Sequence, residues 1–162
     1  MLIRDATAED WPAIWSFVRG IVAGGETFAY DPEMDEAQAR ELWLLDAPAR
    51  TVIALDSDGT VLGSAKMNPN HGGPGAHVAS ASFMVDPAHQ GKGAGRALTK
   101  HALEWARAEG YRAMQFNAVV ETNTRAVALW RSLGFEVMTT LPEAFEHPVH
   151  GYVGLHVMYR RL

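Results

Sequence analysis

The chain has 162 residues, 48% of them hydrophobic, with a formal net charge of −5 and no cysteine. This length suits one compact domain, and the acidic balance without a basic run argues against nucleic acid or an anionic membrane as the main partner. The lack of cysteine excludes disulfides, thiolate metal sites and an acyl-cysteine intermediate. The N-terminus shows no signal core and no stretch reaches the roughly 18 apolar residues of a membrane span, so we expect a cytoplasmic protein.

The predicted elements follow from hydrophobic periodicity and turn residues. Ile14, Phe17, Val18 and Ile21 recur at helical spacing, and two alternating runs flank the turn residues Asp58-Gly59. In chain order we predict a strand over 2–6, a helix from a Thr7 cap to about Gly24, a helix over 35–46, a hairpin over 51–67, a strand over 78–85, a glycine loop and helix over 90–109, a strand over 112–120, a helix over 123–133, and strands over 136–140 and 152–159. This order indicates one α/β domain over residues 1–162.

The glycine loop "QGKGAGR" (90–96) lies between a predicted strand and a predicted helix. Free backbone amides and the positive end of the helix dipole meet there, which suits a phosphate. A P-loop is excluded because Arg96-Ala97 follows Gly95, and a dinucleotide loop is excluded because Arg96 replaces its third glycine. A third pattern, Gln/Arg-x-x-Gly-x-Gly/Ala, is satisfied by Gln90, Gly93 and Gly95.

This loop resembles the coenzyme A pyrophosphate loop of the GCN5-related N-acetyltransferases (GNAT). "NTRAVALWRSLGF" (123–135) is similar to the second conserved motif of that family, in the right order and at the right separation. The resemblance implies a mixed, mostly antiparallel sheet with a splayed strand pair and flanking helices. It also implies acetyl-CoA as co-substrate, without a metal. The cofactor-binding residues that it implies are Phe83, Met84, Val85, Gln90, Gly91, Lys92, Gly93, Ala94, Gly95, Arg96, Asn123 and Trp130.

The same resemblance implies direct transfer of the acetyl group to an amine, with a backbone amide near Met84 polarising the thioester carbonyl. Trp130 occupies the position of the tyrosine that serves the thiolate in most of the family, and core packing is the preferred interpretation of this tryptophan. An ammonium must lose its proton before attack. The candidates for this step are His150 and a water held by Ser80 and Asn117.

The segments "ETFAYD" and "HPVHGYVGLHVMYRRL" resemble the phosphinothricin-type branch, which acetylates the amino group of small amino acids. Ser80 stands where that branch has a glutamate, and His150 matches its C-terminal histidine. "FNAVVETNT" resembles fungal enzymes for imino acids, which implies that Asn117 contacts substrate and Asn123 contacts cofactor. The implied acceptor-side residues are Glu26, Thr27, Phe28, Tyr30 and Glu121.

Several alternatives remain open. A protein or peptide N-acetyltransferase would carry the same motifs, and a non-catalytic acyl-CoA sensor would keep the pocket without the chemistry. A satisfied buried amide at Asn117 or a surface histidine at His150 would need no function. His71 and His77 lack further ligands in sequence, so we expect no metal. The late strands are compatible with a homodimer.

Overall fold

The computed structural model describes all residues from Met1 to Leu162. Its elements follow the predicted order. They are β1 (Leu2–Asp5), α1 (Trp11–Gly24), α2 (Glu36–Trp43), β2 (Arg50–Leu55), β3 (Val61–Pro69), β4 (Val78–Val85), α3 (Ala94–Ala108), β5 (Ala113–Val120), α4 (Thr124–Ser132), β6 (Glu136–His147) and β7 (Gly151–Arg161). The predicted α/β fold class is confirmed.

The seven strands form one sheet in the order β1-β2-β3-β4-β5-β7-β6. Every neighbouring pair is antiparallel except β4 and β5, which are parallel. These two strands pair only at Val78 with Ala113 and at Ala79 with Met114, and beyond that point they have no paired residues. The expected splayed strand pair is therefore present.

Several element boundaries differ from the sequence prediction by one or more residues, and the structure also fixes where the helix after the glycine loop begins. The helix expected over 35–46 ends at Trp43, because Leu44 is already extended. Helix α3 begins at Ala94 because both Gly91 and Gly93 are left-handed, with φ of +85°. Strand β6 continues to His147, well past the predicted residue 140.

Helices cover both faces of the sheet and divide the core into two parts. On one face, α3 and α4 bury Leu98, Ala102 and Val127 against the sheet. Leu98 and Ala102 are four residues apart, so both lie on the side of α3 that faces the sheet. On the other face, α1 and α2 bury a smaller cluster that includes Trp43 and Met84. The sheet therefore separates a face covered by α3 and α4 from a face covered by α1 and α2.

The carboxylate of Asp10 stabilises the turn that precedes the N-terminus of α1. Asp10 accepts hydrogen bonds from the Thr7 amide (2.7 Å) and from the Arg4 guanidinium (2.8 Å to each carboxylate oxygen). Thr7 therefore caps a short 3₁₀ turn over residues 8–10, and α1 follows that turn. The Arg4 hydrogen bond, with the Thr7 bonds, lowers the pKa of Asp10 to about 2.

We expect Asp10→Asn to lower the free energy of unfolding by about 1 kcal/mol near neutral pH, because the capping bonds are lost. A carboxyl with a lowered folded pKa stabilises the fold above its unfolded pKa of about 4, and this contribution disappears as the pH falls towards the folded value. Urea unfolding across this range should show the two proteins converging at acid pH. Asp46→Asn, at an exposed carboxylate, should show no such convergence. A pH-independent difference for Asp10→Asn would contradict the prediction.

Candidate active site

The glycine loop presents a continuous row of unpaired backbone amides. The amides from Gln90 to Arg96 donate no hydrogen bond within the chain, and the first bond of α3 runs from Ala97 to the carbonyl of Gly93. A β-carbon at Gly91 or Gly93 would meet no other atom within 4 Å, so the space around both residues is open. Because α3 is 15 residues long, its N-terminus adds a positive dipole. The loop can therefore hold an anion such as a phosphate.

Three cationic side chains surround this loop. Arg96 donates to the Ser132 hydroxyl at 2.9 Å, and the Lys92 ammonium lies 3.8 Å from the Asp56 carboxylate. Arg125, which the sequence analysis did not select, donates to the Gln90 side chain at 2.9 Å. The expected loop residues thus lie together, and α4 contributes an additional positive charge.

Gly95 differs from the other two loop glycines because its α-carbon faces the core. A β-carbon at Gly95 would lie 3.5 Å from Leu129 and 3.6 Å from Val85, which is ordinary van der Waals contact. The structure thus gives Gly95 a packing position between α3, α4 and the end of β4. Gly91 and Gly93 are the residues whose left-handed backbone shapes the loop.

The gap between β4 and β5 opens beside this loop. Beyond Ala79, the edge of β4 that faces β5 has no strand partner, while its other edge pairs with β3 as far as Val85. Phe83 and Val85 are half-buried, whereas the Met84 side chain is buried beneath α1 and α2. Because Asp86 donates to the Leu62 carbonyl of β3, the alternation of the antiparallel ladder directs the Met84 amide to β3 as well, and the amides of Phe83 and Val85 face the gap. The expected contact of Met84 with the coenzyme is therefore not supported by this geometry.

Trp130 joins the two separated strands through aromatic packing. Its ring centroid lies 6.1 Å from that of Phe83 on β4 and 4.8 Å from that of Phe116 on β5. Its indole Nε1 is buried without a hydrogen-bond partner. Asn123, at the start of the same helix, caps α4 by accepting a 3.4 Å bond from the Ala126 amide. Trp130 therefore packs at the gap, and Asn123 has a structural contact, while its cofactor role stays a prediction.

A polar surface covers β3, β4 and β5 on the α1/α2 face. Lys66 and Asn68 on β3 lie opposite Ser82 and Ser80 on β4 in the strand register. Antiparallel partners project to the same face of a sheet, so these four side chains share one surface. We call these residues, together with Gln115, Asn117 and Asn70, the polar face.

Asn117 lies in a chain of amide hydrogen bonds within the polar face. Its Nδ2 donates to the Asn70 side chain at 2.6 Å, and its Oδ1 accepts from the Gln115 side chain at 2.8 Å. Asn117 is exposed, which differs from the buried amide considered as the alternative. Ser80 is half-buried and makes no side-chain hydrogen bond within the chain. The structure thus places Ser80 and Asn117 on neighbouring strands of one surface without a direct bond between them.

The segment between α1 and α2 folds over the polar face. Phe28 lies 5.3 Å from Tyr30 and 6.1 Å from Trp43, measured between ring centroids. Burial raises the pKa of Tyr30, while the nearby Ser82 hydroxyl acts in the opposite direction. Of the other acceptor-side residues expected in this segment, Glu26 is exposed and Thr27 is half-buried. Phe28 and Tyr30 therefore pack with Trp43 beside the polar face, and their role in acceptor binding stays a prediction.

Neither His150 nor Glu121 is hydrogen-bonded to Ser80 or Asn117; their hydrogen bonds are to His147 and Gly154. His150 is exposed in the β6–β7 turn, and its ring lies 4.6 Å from that of His147. This turn borders a depression lined by Gly25 and Pro32 near the end of α1. Glu121 accepts a 2.6 Å hydrogen bond from the Gly154 amide, so one carboxylate oxygen already ties β5 to β7.

Sequence reasoning missed Lys66, Asn70 and Arg125. The sequence did carry a signal for Lys66, because this lysine interrupts an otherwise apolar predicted strand between Ala65 and Met67. Asn70 and Arg125 carried no comparable signal, because their partners Asn117 and Gln90 are 47 and 35 residues away in sequence. The structure contains no group of three or more histidine, cysteine or acidic residues arranged to hold a metal ion. None of its helices combines the length and hydropathy of a membrane span.

Comparisons with known proteins place this geometry in context. The family model described as "Acetyltransferase (GNAT) family" matches residues 7–135. An L-methionine sulfoximine/L-methionine sulfone acetyltransferase from Pseudomonas paraeruginosa is 32% identical over 148 residues, which cover 87% of this chain and 83% of that protein. A GCN5-related N-acetyltransferase structure from Kribbella flavida superposes with a TM-score of 0.96 at 63% identity, covering 99% of this chain and 97% of the other. A phosphinothricin acetyltransferase from Sinorhizobium meliloti in complex with AcCoA superposes with a TM-score of 0.87 at 27% identity, covering 99% and 88%.

Proposed function

Because this chain belongs to the acetyltransferase (GNAT) family, we propose that it transfers the acetyl group of acetyl-CoA directly to the amino group of a small, amino-acid-like amine. The chain is an enzyme of the acetyltransferase class by this membership.

The observation that carries the proposal is the row of free amides from Gln90 to Arg96 beside the gap between β4 and β5. A pyrophosphate needs several donors that converge without side chains in the way, and the left-handed Gly91 and Gly93 provide them. Arg96 and Lys92 add positive charge at the same loop. The residues present therefore fit the phosphate end of acetyl-CoA, and the adjacent gap fits an extended arm.

The chain supplies backbone donors for the transfer. Acetyl-CoA provides an acetyl group activated as a thioester. In this proposal, an amide of β4 that faces the gap, that of Phe83 or Val85, donates a hydrogen bond to the acetyl carbonyl, whose oxygen gains negative charge during attack. The side chains of Phe83 and Trp130 exclude water from the gap. The lack of cysteine agrees with direct attack by the amine.

Proton transfer is assigned to the polar face and its surroundings. An acceptor ammonium must be deprotonated before it attacks, and the candidates are His150 and a water bound by Ser80 and Asn117. Trp130 has no proton that it can release to a thiolate. A thiol with a pKa of about 8.5 can leave as the anion, so the transfer does not require an acid at that position.

The acceptor class is supported by the names of two relatives. The printed names of the Pseudomonas and Sinorhizobium proteins give methionine sulfoximine, methionine sulfone and phosphinothricin as acceptors, and these compounds are amino acids. In this proposal, the rings of Phe28, Tyr30 and Trp43, which pack together beside the polar face, line the acceptor side of the site.

The experiment that tests the proposal is thiol release from acetyl-CoA with a panel of amino acids, proline analogues, phosphinothricin-like compounds, polyamines and lysine peptides. Rapid release with a small amino acid supports the proposal. Release only with peptides would indicate a peptide acetyltransferase, and tight acetyl-CoA binding with no release would indicate a sensor. With an active acceptor, a lower kcat at unchanged KM in His150→Gln assigns the proton to His150, whereas an unchanged kcat assigns it to the water.

A further inference from the structure

Lys66 is a cation without an anionic partner in the chain. It lies half-buried in the middle of β3, and its ammonium donates to the Leu42 carbonyl at 2.9 Å. None of the ion pairs of the structure includes Lys66. The Tyr30 and Trp43 rings lie 5.5 Å and 5.6 Å from its Nζ. The positive charge is therefore surrounded by two rings and a carbonyl but is not neutralised.

A half-buried ammonium without a counter-charge lowers the stability of the folded protein. Removal of an ammonium from water is costly unless an opposite charge accompanies it. Burial accordingly lowers the pKa of Lys66, and no acidic residue opposes this shift. The aromatic rings and one carbonyl stabilise the ammonium in part, and two of its three N–H groups are left without a protein acceptor.

The surroundings of Lys66 are those of an anion site. Ser82 lies directly opposite Lys66 in the strand register, and its hydroxyl is close enough to that of Tyr30 to affect the pKa of the tyrosine. Ser80, one repeat further along β4, lies on the same face. Lys66 thus lies next to Ser82 and Tyr30 on the polar face, where the acceptor would bind, and no carboxylate of the chain pairs with its ammonium.

We infer that Lys66, with the hydroxyl groups of Tyr30 and Ser82, binds the carboxylate of the acceptor, so that the enzyme selects α-amino acids over amines without a carboxylate. This inference rests on the proposed function. It assigns Lys66 to substrate specificity rather than to proton transfer. The same charge disfavours polyamines, whose additional ammonium groups would lie near Lys66.

The test compares two acceptors that differ only in the carboxyl group. The first probe is L-methionine sulfone, and its partner is 3-(methylsulfonyl)propan-1-amine; the best amino acid of the panel is paired with its decarboxylated amine in the same way. We expect Lys66→Met to raise the KM for the amino acid about 30-fold, as the loss of a charge-assisted hydrogen bond predicts. Its kcat/KM for the amine should stay within twofold of wild type, and Lys66→Arg should restore part of the amino-acid affinity.

The control variant is Lys100→Met, which removes an exposed lysine of α3 and should leave the KM and kcat/KM for both acceptors unchanged. Thermal unfolding and the KM for acetyl-CoA should be unchanged or improved in Lys66→Met, because an unpaired cation is lost. Equal losses on both acceptors, or a wild-type enzyme that acetylates the amine as well as the amino acid, would overturn the inference while leaving the proposed function intact. No acetylation of any acceptor by the wild type would overturn the proposed function, and the inference with it.

Discussion

Gly93→Ala is expected to raise the KM for acetyl-CoA about 100-fold, which corresponds to the loss of two charge-assisted hydrogen bonds. Gly93 is the N-cap residue of α3 and has a φ of +85°. An alanine is disfavoured in this left-handed conformation by about 1–2 kcal/mol, so the loop will turn away from it. The amides on either side of Gly93 then no longer point in one direction, and the pyrophosphate loses donors. The measurement is initial-rate kinetics with acetyl-CoA varied at saturating acceptor.

Gly110→Ala is a matched control for this variant. Gly110 follows the other end of α3, has a φ of +82°, and has no atom within 4 Å of its β-carbon position, as is true of Gly93. Both variants should lose the same stability, about 1–2 kcal/mol in urea unfolding. Only Gly93→Ala should lose acetyl-CoA affinity. Similar KM values for the two variants would show that the loop does not bind the coenzyme.

The order of the elements could be predicted because most of them carry a local signal. Helix α3 shows apolar residues at helical spacing and a glycine at each end, and β2 and β3 flank an Asp-Gly turn. Strand β6 lacks such a signal beyond residue 140. Most of its side chains are exposed, it contains Pro142, and Glu143 adopts a φ of +52°. Its length is set by pairing with β7, which local sequence does not encode.

Only the part of the candidate site that is formed by consecutive residues could be predicted from the sequence. The seven residues of the glycine loop are consecutive, so their motif was visible without a structure. The polar face is different, because it depends on the register of β3 against β4 and on the fold of the segment before α2. Lys66 stands out only in the structure, which shows that Tyr30 and Trp43 lie beside its ammonium and that no carboxylate pairs with it. Ser80 and Asn117 were selected as polar residues in central strands, and their catalytic roles stay predictions.

Gly63 gives a prediction that the sequence pattern alone did not suggest. It lies within β3, opposite Val85 of β4, at the end of the strand that borders the gap. A β-carbon at Gly63 would lie 2.7 Å from the Met84 carbonyl oxygen and 3.1 Å from the Val85 α-carbon. Both atoms belong to the backbone, so neither can move away by a side-chain rotation. A glycine inside a strand often marks such a close approach of two backbones.

We expect Gly63→Ala to lower the free energy of unfolding by about 3 kcal/mol, because the strands must separate or distort to admit the methyl group. Gly20→Ala is the comparison: Gly20 is an exposed interior residue of α1 with no atom near its β-carbon position, and the same substitution there should raise stability by about 0.5–1 kcal/mol. Urea unfolding of both variants measures these opposite changes. The folded fraction of Gly63→Ala should also bind acetyl-CoA more weakly, because the displaced residues are Met84 and Val85. A destabilised variant with wild-type acetyl-CoA affinity would show that the end of β4 does not contact the coenzyme, whereas a variant as stable as wild type would show that the two strands can separate without cost.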